Sequence, residues 1–337
     1  MEEKSVQVSE LKESRQEDSL AKPSDDHAKP SEQDEAVTTL QDGIRISKPS
    51  RMMQALPNPG VSKDDEEYFM RNTKRGLALV FNHYEFDIRE FKDGELYRPP
   101  RREGTSRDKD AVLKTFSKLG FKVKPFDNKR YQEIKEILAE AAQQDHSEHD
   151  CLAVIVLTHG ERGGRLDAKD GDYDARRLWE PFIATSCPTL AGKPKLFFIQ
   201  ACKGRTRDPG AIVRNCIGDS TDAAAVIPAS FQVPSFADFL IAYSTFEGLY
   251  SFRHPTKGSW FIQTLCTQLG KHAGDKDVVS LLTDVNRIVG QEFRSSDPSE
   301  PCMDGLVQGP CFISSLTRRV HLWPPVAAAP DALPNVE

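Results

Sequence analysis

The chain has 337 residues, 38% of them hydrophobic and 28% charged, which is enough apolar material for one large folded domain or two modest ones. A formal net charge of -6 excludes nucleic acid as the main partner, since such a binder needs a basic excess or a basic face. No stretch approaches the roughly 20 apolar residues of a membrane span, and the polar, acidic run Met1 to Ser31 has no signal-peptide core.

Residues 1–60 are rich in Ser, Glu, Asp, Lys and Pro, a composition that predicts a disordered arm. Order is expected from about Tyr68. Gly76–Phe81 is a short continuous apolar run, which reads as a buried strand. Asp108–Leu119 places Ala111, Val112, Thr115, Phe116 and Leu119 on one helical face. Phe121–Lys124 is a weaker strand, and Tyr131–Ala142 a second amphipathic helix through Ile134, Ile137, Leu138 and Ala141. Cys151–Leu157 is the strongest strand and runs straight into Thr158-His159-Gly160.

Arg176–Ile183 reads as a helix, and Lys195–Ile199 as a strand leading into Gln200-Ala201-Cys202. Residues 203–235 are turn-rich without periodicity, either a mobile segment beside the site or a processing region. Asp238–Tyr243 resumes as a strand, Trp260–Leu269 and Val278–Val289 are helical, and Cys311–Leu316 is a last strand. Alternating strands and helices predict an α/β fold, a mostly parallel twisted sheet covered on both faces.

The seven cysteines (Cys151, Cys187, Cys202, Cys216, Cys266, Cys302 and Cys311) are odd in number and irregularly spaced, which favours reduced thiols in a reducing, cytoplasmic setting. Taken alone, Cys202 reads first as a structural thiol and His159 as a structural or surface group. Both follow buried strands, and ligands of open α/β sheets bind beyond the strands' carboxyl ends. Together they read as a thiol nucleophile with an imidazole that ionises it and later protonates a leaving amine. Backbone N–H groups at Gly160 and Cys202 would face a developing oxyanion, and glycine at 160 would let a substrate backbone approach closely.

Gln200-Ala201-Cys202-Lys203-Gly204, with His159 upstream, resembles the signature of caspases. Thr158-His159-Gly160-Glu161, Gly192-Lys193-Pro194-Lys195-Leu196-Phe197, Ala242-Tyr243-Ser244-Thr245 and Gly258-Ser259-Trp260-Phe261-Ile262-Gln263 resemble stretches of executioner caspases in the same order. The likeness runs from about Tyr68 to Trp323, and Arg75 to His83 looks closest to insect members. It implies a caspase-like six-stranded sheet with large-subunit (68–222) and small-subunit (223–325) parts of one domain, then a disordered tail over 326–337. It also implies cleavage after aspartate, with Arg102, Gln200 and Arg253 around the aspartate side chain. Tyr250, Phe252 and Trp260 would wall the upstream subsites, and Ser251 would align the substrate as an added strand. Arginine's planar fork suits a carboxylate, which supports that assignment physically.

The same resemblance implies a precursor cut at Asp222, or secondarily Asp219, with Asp42 a candidate for removing the arm. It implies a homodimer of cleaved chains, with Cys311–Leu316 as the interface strand, an upstream initiator protease, and inhibitor-of-apoptosis proteins that read N-terminal alanine. No metal or cofactor is implied. Lys203 departs from the usual Arg, Gln or Gly, Phe252 stands where relatives often carry Trp, His254-Pro255 replaces small polar residues, and 294–310 match poorly. A basic-specific clan member, an inactive scaffold and a metal site at His146, His149 and Cys151 are the competing readings. The histidine cluster reads as a solvated loop, and the absence of Cys-Gly-Ser-Cys-Trp argues against a papain-type enzyme.

Overall fold

The computed structural model describes residues 64–90, 94–208, 236–296 and 301–323. The expected arm over 1–60, the tail over 326–337, the boundary at 222/223, and Asp42, Asp219 and Asp222 all lie outside the described residues.

Six strands form one sheet: β1 Leu77–Asn82, β2 Lys122–Asp127, β3 Leu152–Leu157, β4 Lys195–Gln200, β5 Phe239–Tyr243 and β6 Cys311–Ser314. Their order is β6-β5-β4-β3-β1-β2. All neighbours run parallel except β5 and β6. The four central strands, β1, β3, β4 and β5, are buried at every residue, as expected where both faces are covered.

Side-chain alternation divides those strands between two cores. Ala78, Val80, Ile155 and Phe198 face helices α1 (Thr105–Lys118), α3 (Trp260–His272) and α4 (Val278–Glu292). Leu79, Phe81, Val156 and Phe197 face α2 (Tyr131–Gln143) and a series of short 3-10 turns. Each fully buried Phe or Leu contributes roughly 1.5–3 kcal/mol, so slipping a strand by one residue would exchange the two cores and is strongly disfavoured. The start of β1 depends on Gly76, at φ 122, where a Cβ would lie 1.9 Å from the Cys151 carbonyl oxygen.

Every predicted strand is present, with boundaries moved by a few residues. The strand expected over Phe121–Lys124 continues to Asp127 through Pro125. Proline is tolerated there because β2 is the outermost strand of the sheet. The helix expected over Arg176–Ile183 is instead two 3-10 pieces, Ala175–Leu178 and Glu180–Phe182. Asp174 caps the first by accepting from Arg176 N–H at 2.8 Å, and Pro181 removes a donor that a continuous α-helix would need.

Three small antiparallel pieces were not legible: Arg89–Glu90 with Leu96–Tyr97, the trio Gly160–Glu161, Arg165–Asp167 and Asp172–Asp174, and Arg253–His254 with Gly258–Ser259. Strands of two or three residues are too short to show a hydrophobic period.

Candidate active site

β3 and β4 pair as far as Leu157 opposite Gln200. Thr158 N–H then donates to the Gln200 carbonyl at 3.0 Å, carrying the pairing one residue further. His159 and Cys202 therefore leave the same edge of the sheet from adjacent strands. The chains stay close beyond that point, since a Cβ on Gly160 would lie 2.4 Å from the Cys202 carbonyl oxygen and 3.1 Å from Ala201 Cβ. Ser244, just after β5, clamps the neighbouring turn. Its hydroxyl donates to Ala201 O at 2.9 Å and accepts from Ala201 N–H at 3.2 Å.

The Cys202 thiol is half-buried. It accepts from Ser251 N–H at 3.4 Å and donates to Ser251 O at 3.8 Å. Burial pushes its pKa up, while the Ser251 N–H, Arg102 and Arg253 pull the other way. His159 Nε2 lies 2.8 Å from the Pro100 carbonyl oxygen, and its ring is 5.0 Å from Phe86. A carbonyl can only accept, so Nε2 carries the proton and Nδ1 keeps a free lone pair. Burial pushes the imidazole pKa down to about 4, helped by the positive charges of Arg102, Arg253 and Arg89 and opposed by Pro100 O. Burial thus disfavours the charged form of both the thiol and the imidazole.

Arg102 has no solvent exposure. Its Nη1 donates to His83 O at 3.1 Å and to Thr105 Oγ1 at 2.7 Å, whereas Nε and Nη2 have no hydrogen-bond partner among the described residues. Arg253 Nε donates to Glu103 O at 2.8 Å. Burial lowers the pKa of Arg102 well below its ordinary value, and Arg253 is the largest charge acting in the same direction. The Arg253 charge therefore reaches the buried Arg102 guanidinium.

Gln200 Nε2 donates to Ser251 Oγ at 2.7 Å, and its buried Oε1 has no partner among the described residues. A half-turn of that amide would let Oε1 accept from the serine and free Nε2 to donate to a carboxylate. Tyr250, Ser251 and Phe252 are half-buried alongside. Phe252 stacks on Trp260 at 4.8 Å between centroids, and Trp260 lies 5.3 Å from Phe293. The structure therefore brings Gln200 and the Cys202 thiol together at Ser251, with the charges of Arg102 and Arg253 acting on that thiol and the Phe252–Trp260 stack adjoining.

The histidine cluster is not the solvated loop expected from its polar setting. His146 is fully buried, with Nδ1 2.9 Å from His149 Nδ1 and Nε2 2.8 Å from Ala141 O. Lys193 Nζ donates to the carbonyls of His146, Ser147 and His149 at 2.8, 2.7 and 2.6 Å. Among the described residues, no group of three or more His, Cys, Asp or Glu side chains is placed to hold a metal ion.

Four participants were missed from the sequence. Pro100 acts through a carbonyl, which every residue has, so nothing in its identity signals the role. Ser244 looks like any strand-end serine, and Gln308, whose Oε1 accepts from Phe252 N–H at 2.6 Å, lies in the stretch that matched poorly. Asp108 did leave a signal, since it precedes Val112 and Thr115 on the buried stripe of α1 and is itself fully buried.

A family model described as the caspase domain matches residues 75–321. The chain is 42% identical over 272 residues to Caspase-1 of Spodoptera frugiperda, covering 81% of this chain and 85% of that protein. It is 41% identical over 252 residues to Caspase drICE of Drosophila melanogaster, covering 75% and 71%. It is 39% identical over 278 residues to Caspase-6 of Bos taurus, covering 81% and 92%. The crystal structure of Caspase-1 from Spodoptera frugiperda superposes with a TM-score of 0.69 at 42% identity, over 78% of this chain and 97% of that one.

Proposed function

The chain belongs to the caspase family of cysteine-type endopeptidases, and on that premise we propose that it cleaves proteins after aspartate, with Cys202 as nucleophile and His159 as acid/base. The observation that carries the reading is the fully buried guanidinium of Arg102, whose charge acts on the Cys202 thiol and whose Nε and Nη2 have no partner among the described residues. A neutral side chain would leave those donors unpaired, a penalty that discriminates by a factor on the order of 10⁴. Arg253 and Gln200 would complete the carboxylate's coordination.

In the forward step the Cys202 proton passes to His159 Nδ1 as Sγ attacks the carbonyl carbon. The Gly160 and Cys202 N–H groups face the resulting oxyanion. The imidazolium gives its proton to the departing amine, leaving a thioester, which a water deprotonated by His159 then hydrolyses. Substrate binding assists this chemistry. Burial chiefly holds the His159 pKa down, and the same two guanidiniums that receive the aspartate add to it, so an arriving carboxylate offsets their part and makes the imidazole a stronger base.

The resemblance to executioner caspases supports the remaining parts of the proposal. The chain is made as a precursor cut at Asp222 or Asp219, with Asp42 the site that frees the arm. Residues 68–222 and 223–325 then act as large and small subunits. The cleaved chains pair as a homodimer, supported by β6, an edge strand whose Ile313 is 62% exposed. Its setting is cytoplasmic and its role apoptotic, with an initiator protease upstream and inhibitor-of-apoptosis proteins as partners. Among the described residues no helix is long and apolar enough to cross a membrane.

The test compares purified wild type with Cys202→Ala on peptides ending in Asp or Arg. Wild type is expected to cleave only the aspartyl peptide and to process itself near Asp222, and the variant to do neither. Equal activity of the two would refute the mechanism.

A further inference from the structure

Asp108 lies in the first turn of α1, fully buried, and takes no part in the chemistry just described. A buried carboxylate is costly unless its surroundings use the charge. Its Oδ1 accepts from Ser259 N–H at 2.8 Å and from the Gln263 side-chain amide at 2.9 Å, while Oδ2 has no hydrogen-bond partner among the described residues.

Those contacts join the two segments that carry the guanidiniums. Arg102 donates to Thr105, the first residue of α1. Ser259 is paired with Arg253 in the small hairpin. Asp108 thus links the helix that begins beside one arginine to the strand that faces the other. The hairpin closes directly onto the carboxylate, since Gly258 sits at φ 89 and a Cβ there would lie 2.4 Å from Asp108 Oδ1. Gly104, at φ 83, makes the matching approach from the other side, where a Cβ would lie 2.6 Å from His254 O.

The charge matters as well as the tie. Arg253 acts against the charged form of Arg102, and Asp108 is the foremost negative group favouring both guanidiniums. Two uncompensated like charges in a poorly solvated pocket would move apart, and the pocket would then pay for reassembly each time it bound an anion. With Oδ1 committed to Ser259 and Gln263, the carboxylate balances that charge without spending Arg102 Nε or Nη2.

We propose that Asp108 is a positioning residue of the substrate-aspartate pocket, tying the Arg253 hairpin to α1 so that the two guanidiniums are correctly spaced before substrate arrives. The inference rests on the reading of Arg102 and Arg253 as that pocket. Its effect falls on substrate binding and on the choice of acidic side chain, not on the reactivity of the thiol.

The test is Asp108→Asn in the full chain, activated as the wild type is and normalised by titrating the reactive thiol. KM for an aspartyl peptide is expected to rise about tenfold, the scale of one charge-assisted interaction, with kcat little changed and preference for aspartate over glutamate reduced. Alkylation of Cys202 by iodoacetamide, a neutral reagent that does not use the pocket, is expected to keep its rate. A variant with a lower melting temperature but unchanged KM and preference would overturn the inference.

If Asp108→Asn does not fold, Gln263→Met decides, because it removes one of the two donors that hold the carboxylate. A raised KM supports the role and an unchanged KM overturns it. Arg102→Met separates the two levels of the argument. Wild-type cleavage of aspartyl peptides by that variant would bring down the pocket and this inference together. An inactive Arg102→Met beside an unaffected Asp108→Asn would bring down this inference alone.

Discussion

The Lys203 ammonium stands 3.9 Å from the centroid of the Tyr243 ring and 3.0 Å from a Glu247 carboxylate oxygen. Lys203, the residue after Cys202, thus braces its turn against β5, even though lysine lacks arginine's planar stacking surface. A cation over an aromatic face contributes about 0.5–2 kcal/mol, depending on desolvation. In an inactive Cys202→Ala background, Lys203→Met is expected to lower the unfolding free energy by about 1 kcal/mol, and Lys203→Arg to preserve it. Urea unfolding checks this, and a methionine variant as stable as its parent would show that the contact contributes nothing.

Gly160→Ala tests the close approach of the segments that carry His159 and Cys202. The added methyl group would meet the Cys202 carbonyl oxygen at 2.4 Å, so one chain must yield. Overpacking of this kind costs about 1–3 kcal/mol of stability. A displacement near 1 Å at a reacting centre costs on the order of 10²-fold in rate. The variant is expected to fold with a lowered melting temperature and to lose about two orders of magnitude in kcat/KM. Undiminished turnover would mean that the strands tolerate separation.

Arg253→Met is expected to raise the pKa of His159 from about 4, because it removes one of the positive charges that disfavour the imidazolium. NMR titration of the ring in the Cys202→Ala protein reads this directly. A value unmoved or lowered would show that the guanidinium does not act on the imidazole.

Acid is expected to destabilise the protein between pH 6.5 and 4. Burial is the main cause that lowers His83, His149 and His159 from the ordinary 6.5 to about 4. In that window the unfolded chain binds protons that the folded chain refuses, so stability falls as pH falls, and the loss is complete near pH 4. Asp108, Asp150 and Asp167 have pKa values raised by burial and oppose the trend at its lower end. Proton uptake on unfolding at pH 5 is expected to drop by about one in His149→Asn. Equal uptake in the two proteins would contradict the assignment.

The main sheet was legible because its strands are continuous apolar runs bounded by turn residues, as in Cys151–Leu157 and Lys195–Ile199. His159 and Cys202 were legible because each stands where such a run ends. The other features depended on tertiary context. Proline at 125 reads as a break unless β2 is known to lie at the edge. His146 reads as a surface residue until Lys193 is seen gathering three carbonyls beneath it. Asp108 shares a helical stripe with Val112 and Thr115, but the reason a carboxylate stands there becomes visible only when Ser259, far along the chain, arrives against it.

The parallel seam between β4 and β5 joins residues from either side of the 209–235 stretch. Phe239 to Tyr243 pair with Lys195 to Ile199, and beyond the seam Tyr68 Oη donates to Asp238 at 2.7 Å. A peptide bond severed anywhere between Asp208 and Phe236 would therefore yield two polypeptides that stay interlocked through a shared sheet and a common core. Proteolysis there edits connectivity without releasing a fragment, so denaturing and native electrophoresis would report different sizes for the same nicked molecule.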